Sequence, residues 1–352
     1  MTQTPDNYES AASRTGDFAQ FEDDRRSAME RVQSFLHNYP IAAPLIVLAL
    51  SLLVFGAVAN NFFTPFNFSL IIQQVTVIGI LGIAQTLVIL TAGIDLSVAA
   101  IMILSSVVMG RLGVEIGLPT VLAIAVGMFV GFLCGAVNGL LVTRFRLPPF
   151  IVTLGTWSVF FALNLWVSQA QSIRSSDIDA EAPLLKFWGE RVDVLGAQFT
   201  YGSFLMLALF VVFWYLLNWT PWGRAVYAVG DDKEAAELAG IRTDRTLVSV
   251  YAIAGLVCAI GGWVAIGRLG SVSPQSFYEG NLNAITAVVI GGCSLFGGRG
   301  AIFGTLIGAI TVGVFRSGLK LAGVEVLWQE FSVGVLIITA VALDQWIRKV
   351  SK

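Results

Sequence analysis

The chain has 352 residues, of which 56% are apolar and 12% charged, and its formal net charge is −2. Soluble domains carry about 25% charged residues, so this composition excludes a soluble globular domain. It also excludes a nucleic-acid-binding module, which would need a basic face.

Residues 1–39 are polar and form an N-terminal tail. Phe18, Phe21, Arg25, Val32, Phe35 and Leu36 have partial helical spacing. The tail is read either as an amphipathic helix lying on the membrane surface or as a disordered segment ending in a loose helix. Its polarity leaves no cleavable signal peptide.

Residues 41–110 carry one charge, Asp95. A spanning helix needs about 20 apolar residues, so three spans are predicted, at 41–59, 70–91 and 95–112. Further charge-poor runs follow at 119–142, 150–171, 199–218, 246–267, 281–296, 300–319 and 327–346. The predicted fold is all-α, a polytopic membrane helix bundle of about ten transmembrane helices over residues 40–347. The spans at 95–112 and 281–296 adjoin glycine-rich turns and are candidates for broken or re-entrant helices. The three cysteines, Cys134, Cys258 and Cys293, fall inside apolar runs without metal-ligand spacing and read as small buried hydrophobes.

Particular residues punctuate these spans. Asp95 sits at the turn between the second and third. It is expected to cap the following helix through the amides near Ser97, with Gly93 allowing the tight turn before it. Pro148 and Pro149 mark a helix start, where a missing N–H costs nothing. Gly291, Gly292, Gly297, Gly298 and Gly300 permit a sharp turn, with Arg299 facing the cytoplasm. Gly300, Gly304 and Gly308 repeat the G-x-x-x-G spacing of a helix-packing face. Trp328 and Trp346 bracket the last span as an interfacial pair.

Ten spans put both termini on one side. That side carries 14 of the lysines and arginines and the other carries 7. The positive-inside rule therefore assigns both termini and the 219–245 loop to the cytoplasm. The segment 172–198 becomes the main external loop.

The cytoplasmic loop contains VGDDKEAAELAG, residues 229–240, with five charges in a charge-poor chain. Asp231 is expected to cap a two-turn helix, with Glu234 at capping-box spacing. Asp232 and Glu234 complement the positive end of its dipole. Lys233, Ala235, Ala236, Glu237, Leu238 and Ala239 continue it, and Gly240 stops it. Such a helix is marginal in water unless something packs on it. Its small, acidic face suits docking into a groove of another protein.

Glu234-Ala235-Ala236, three residues, then Gly240 resembles the EAA-x-x-x-G pattern of ATP-binding-cassette import permeases. Four further stretches narrow the resemblance: FFTPFNFSLIIQQ (62–74), TAGIDLSVA (91–99), LPPFIVTLGTWSVFFALNL (147–165) and IGGCSLFGGRGAIFGTLIGA (290–309). Together, in this order, they resemble the ribose-, xylose- and fructose-type sugar permeases over about residues 40–346. Ala92 and Ala99 stand where that family usually has glycine, and Arg316 where a neutral residue is more common.

The resemblance implies an inner-membrane subunit that imports monosaccharides by alternating access. It also implies a second permease subunit, two ATPase subunits and a periplasmic or lipid-tethered sugar-binding protein. ATP and magnesium would sit on the partner ATPase, since this chain lacks the G-x-x-x-x-G-K-[ST] loop. No cofactor, metal site or catalytic residue is expected here. Gln73, Gln74, Gln85, Asn138, Thr153, Thr156, Trp157 and Asn164 are candidates for a neutral polar sugar path. The alternatives are a permease for another small polar solute, or an ion-coupled secondary transporter. Proton coupling is weakly served, because His37 lies in the tail and Asp95 has no evident partner.

Overall fold

The computed structural model describes residues 41–348, so the predicted amphipathic helix near residues 18–36 lies outside the described residues. Thirteen α-helices follow one another within that range. They are α1 (Ala42–Val58), α2 (Pro65–Leu90), α3 (Val98–Gly110), α4 (Thr120–Arg144) and α5 (Pro149–Ser168), then α6 (Ser175–Glu181) and α7 (Tyr201–Trp219). The rest are α8 (Pro221–Asp231), α9 (Lys233–Leu238), α10 (Thr243–Leu269), α11 (Gly280–Ile290), α12 (Ile302–Leu321) and α13 (Val326–Arg348).

Seven helices are long and apolar enough to cross a membrane: α2, α3 with its π-helical extension Arg111–Glu115, α4, α5, α7, α10 and α12. Three shorter apolar stretches, α1, α11 and the described start of α13, bring the apolar helices to the ten expected. The span expected at 281–296, a candidate for a broken or re-entrant helix, is broken. Helix α11 has 11 residues and ends at Ile290, so it covers only about 17 Å of a roughly 30 Å hydrocarbon core. Glycines at 291 and 292 break it there.

Helix α2 is the centre. Its N-terminus is capped by Thr64, whose hydroxyl accepts the Asn67 amide, with Pro65 in the first turn. From Val75 to Leu90 most of its side chains are enclosed by α3, α7, α10, α11 and α12. Helices α4, α5 and α7 expose large apolar side chains outward, as lipid-facing helices do. Close approach depends on glycine. Gly131, Gly135 and Gly139 of α4 leave no room for a Cβ against Tyr251, Gly255 and Val248 of α10. Gly304 and Gly308 do the same for α12 against α11, so that predicted packing face lies within the chain, while Gly300 sits in the preceding loop. All three cysteines are buried.

The segment expected as an external loop is folded. It forms α6, a 3-10 turn (Pro183–Gly189) and an antiparallel hairpin, β1 (Arg191–Val194) with β2 (Ala197–Thr200). This two-stranded hairpin is the one sheet among the described residues of an otherwise helical fold. Ile173, Ile178, Ala182 and Leu185 are buried, and Ile173 pairs with Val272 after α10. Scattered apolar residues anchored the segment where no apolar run was present. Trp328 is exposed at the start of α13; the side chain of Trp346 lies outside the described residues.

Candidate functional site

The charged helix is α9, and it begins one residue later than expected. Asp232 is its cap: Oδ1 accepts the Ala235 amide at 3.0 Å, and the backbone there is extended. Asp231 is instead the last residue of α8, a helix the sequence reading did not separate from the loop. Gly240 ends α9 with φ +84°, and the Ile241 amide closes back on the Ala236 carbonyl. Thr243 donates to Glu237, and Lys233 pairs with Asp244 at 3.4 Å. Ala236 is the inner contact, buried with Val229 and Leu247. The outer face carries Glu234, Ala235, Glu237 and Leu238, and Leu238 is 91% exposed. Leu238 lies roughly 200° around the helix from Ala236. In sequence it reads only as a helix former; its angular position was the available signal for an exposed apolar side chain.

Helix α8 connects α9 to the bundle. At its end, Gly230 packs backbone to backbone against the Leu90 carbonyl at the end of α2 and the amide of Gly298. The Leu90 carbonyl, left open at the helix terminus, is satisfied by the Gly298 amide at 3.0 Å. A Cβ at Gly297 would lie 2.5 Å from the Gly230 oxygen and 2.7 Å from the Ala92 nitrogen. Tyr227 donates to the Gly300 carbonyl at 2.9 Å, and burial, reinforced by Cys293, pushes its pKa up to about 12, so it remains a donor at neutral pH. Three stretches singled out separately, 91–97, 229–240 and 297–300, therefore meet at one junction. Arg299 points to solvent there.

The 91–97 turn is held from several sides. Asp95 accepts the Ser97 amide at 2.7 Å, as expected, and the Ser97 hydroxyl at 2.6 Å. The helix starts only at Val98 with Ser97 as its N-cap residue, so the carboxylate closes the turn before the helix rather than capping α3 itself. Asn138 of α4 donates to the Ser97 hydroxyl at 2.8 Å. The Leu96 amide donates to Thr153 of α5 at 3.1 Å, and the Thr153 hydroxyl reaches the Ile94 carbonyl at 3.0 Å. Asn281 of α11 donates to the Leu96 carbonyl at 3.2 Å. The left-handed residue of this turn is Ala92, at φ +60°, and not Gly93. Gly93 is needed for space: a Cβ there would lie 2.8 Å from the Tyr251 hydroxyl. That hydroxyl and Asn138 Oδ1 are buried without a hydrogen-bond partner.

The eight candidate path residues do not form one row. Asn138 and Thr153 serve the 91–97 turn. Gln73 donates to the Gln198 carbonyl in β2, and the Gln74 carbonyl accepts from Arg268, both toward the end of the bundle that bears the hairpin. Gln85 is fully enclosed with neither amide atom paired. Asn164 donates to the Pro274 carbonyl at 2.8 Å, and Thr156 bonds back to Thr153. Trp157 stacks on Phe161 at 6.0 Å, and Tyr278 meets both edge-on. Pro148 and Pro149 open α5 as predicted, at its cap and first position. Arg316 ties α12 to Asn283 of α11 and Glu330 of α13. Among the described residues no group of three metal-ligating side chains occurs.

Comparison with known proteins places this geometry. Residues 67–341 match the family described as branched-chain amino acid transport system / permease component. The chain is 53% identical to the fructose import permease protein FrcC of Rhizobium meliloti, across 97% of this chain and 95% of that one. It is 37% identical to the ribose import permease protein RbsC of Bacillus subtilis, covering 86% of this chain and 92% of the relative. It is 36% identical to the D-allose transport system permease protein AlsC of Escherichia coli, covering 86% and 91%. The family description mentions amino acids, whereas these relatives are sugar permeases. No solved structure matches.

Proposed function

The chain belongs to this family of transport-system permease components, and we propose that it is the membrane subunit of an ATP-driven monosaccharide importer. Fructose is the first sugar to try, given the 53% identity to a fructose permease over nearly the whole length. The subunit sits in the bacterial inner membrane with both termini in the cytoplasm, works as a pair with a second permease copy, and relies on separate ATPase and sugar-binding subunits. The observation that carries the reading is the junction of α8 with the 91–97 and 297–300 turns, beneath an α9 whose acidic face presents one exposed leucine.

A groove on each ATPase subunit takes α9, with Leu238 as the apolar anchor. Closure of the ATPase pair displaces α9 and, through it, α8. Because Gly230 abuts Leu90 and Gly298 with no intervening side chains, α8 cannot move without the ends of α2 and of the α11–α12 loop. The 91–97 turn transmits the displacement to α4, α5 and α11 through Asn138, Thr153 and Asn281. The two unpartnered buried atoms beside this turn, on Tyr251 and Asn138, supply hydrogen-bonding capacity for a second arrangement of it. The Trp157–Phe161–Tyr278 cluster offers aromatic faces to a passing sugar. On the opposite end, the hairpin tip at Leu195, 97% exposed, supports docking of the binding protein there.

The test is reconstitution. In liposomes holding this chain with its ATPase and binding protein, uptake of labelled sugar requires ATP. Concentrative uptake by this chain alone, without ATP, would overturn the proposal.

A further inference from the structure

A groove with a cavity of about 750 Å³ runs between α4 and α10, at the end of the bundle that bears the 219–245 loop. Its walls are apolar: Phe132 and Leu140 on α4, Val248 and Ile253 on α10. Phe132 and Leu140 are themselves exposed on the outer surface of the bundle. The polar side chains of the wall are already satisfied. Thr143 bonds the Gly139 carbonyl, Ser249 bonds the Thr246 carbonyl and accepts from Trp222, and Asp244 pairs with Lys233. The mouth carries Arg144, Arg146 and Arg245, all exposed. Among the described residues none of the three has a carboxylate within ion-pair distance. Arg146 holds a left-handed backbone, φ +53°, just after α4, a conformation that strains any residue but glycine.

We propose that this groove is a binding site for one anionic phospholipid of the inner leaflet, its phosphate held by Arg144, Arg146 and Arg245 and one acyl chain lying along the α4–α10 seam. The dimensions fit. From Phe132 to Arg144 the helix rises about 18 Å, against about 15 Å for the hydrocarbon of one leaflet. Basic pockets between membrane helices on the cytoplasmic side bind anionic headgroups, each basic residue contributing roughly a five-fold factor in affinity. Simple interfacial anchoring by the same arginines would need no groove, and that difference can be measured. This inference is independent of which solute is carried.

The probe is phosphatidylglycerol, with phosphatidylcholine of identical chains as the uncharged-headgroup control. Detergent-purified full-length chain is mixed with each lipid, and retained lipid is counted by native mass spectrometry. One tightly retained phosphatidylglycerol per chain is expected, with retention of phosphatidylcholine at least ten-fold lower. Replacing the three arginines together by glutamine lowers phosphatidylglycerol affinity on the order of 100-fold. Ala136→Trp, which fills the groove and leaves the arginines in place, abolishes retention as well. Size-exclusion profiles of both variants report folding, and the wild-type lipid comparison stands without them. Equal retention of the two lipids would overturn the proposal, as would unchanged retention in folded Ala136→Trp. Displacement by glycerol phosphate at the lipid's own concentration would make this a free-phosphate site instead.

Discussion

Gly297→Ala tests the junction directly. Two effects are imposed at once. The left-handed φ of +85° costs an alanine roughly 1–2 kcal/mol. The new Cβ lies 2.5 Å from the Gly230 oxygen and 2.7 Å from the Ala92 nitrogen, and ordinary contact begins at 3.4 Å, so the α11–α12 loop must draw back by about 0.9 Å from α8 and about 0.7 Å from the 91–92 turn. Both neighbours are backbone and cannot rotate away, which puts the overpacking cost at roughly 1–3 kcal/mol. The control is Gly240→Ala, at φ +84° with nothing within 4 Å of the new Cβ. It carries the same backbone strain without the collision. With the proposed ATPase and binding protein in liposomes, Gly297→Ala is expected to keep ATPase association while sugar uptake falls at least ten-fold. Gly240→Ala should retain most of its uptake. Equal uptake by the Gly297 variant and the wild type would refute the coupling route through this junction.

Four further outcomes follow from the same geometry. Leu238→Ala should weaken ATPase binding by about ten-fold or more, the value of a leucine side chain buried at an interface, without altering the permease's own melting temperature, because Leu238 touches little within the chain. Ala92→Gly should raise stability by about 0.5–1 kcal/mol, since relief of the left-handed strain exceeds the added chain entropy; a thermal melt in detergent reads it. Asp95→Ala leaves the Ser97 amide and hydroxyl without their acceptor and should cost roughly 2 kcal/mol, whereas Asp95→Asn keeps a carbonyl oxygen in place and should cost less; a melt in which alanine is the milder change contradicts this role. Trp157→Ala should lower sugar uptake while leaving ATPase association intact; association lost together with uptake would instead make the aromatic cluster structural.

The number of apolar helices was legible because lipid demands long charge-poor runs, and such runs survive any detail of packing. The start of α5 at Pro149 and the stop of α9 at Gly240 were legible because each rests on one residue's backbone chemistry. The cap of α9 was misplaced by one residue because Asp231 and Asp232 are chemically equivalent in sequence. What separates them is α8, which runs through Asp231 and fixes the helical phase beforehand. The fold of residues 172–200 was hidden for a different reason. Its buried residues Ile178 and Leu185 are isolated in sequence and find their neighbours only after the segment folds back on the bundle. The polar path set could not be sorted in sequence because interhelical bonding and solute contact use the same residue types. Asn138 and Thr153 went to the first use.

The departure at Ala92 gains its meaning only from the junction. A glycine there would relax the turn, yet the chain keeps a methyl group at a left-handed position, against Gly297. That methyl would lie 2.7 Å from a Cβ at position 297, so the turn and the α11–α12 loop approach this closely because residue 297 is glycine. On the proposed coupling route, strain kept at this contact trades stability for function. Hence Ala92→Gly should raise the melting temperature while lowering sugar transported per ATP hydrolysed. A variant that gains stability and loses no coupling would show that the strain at Ala92 has no part in transmission.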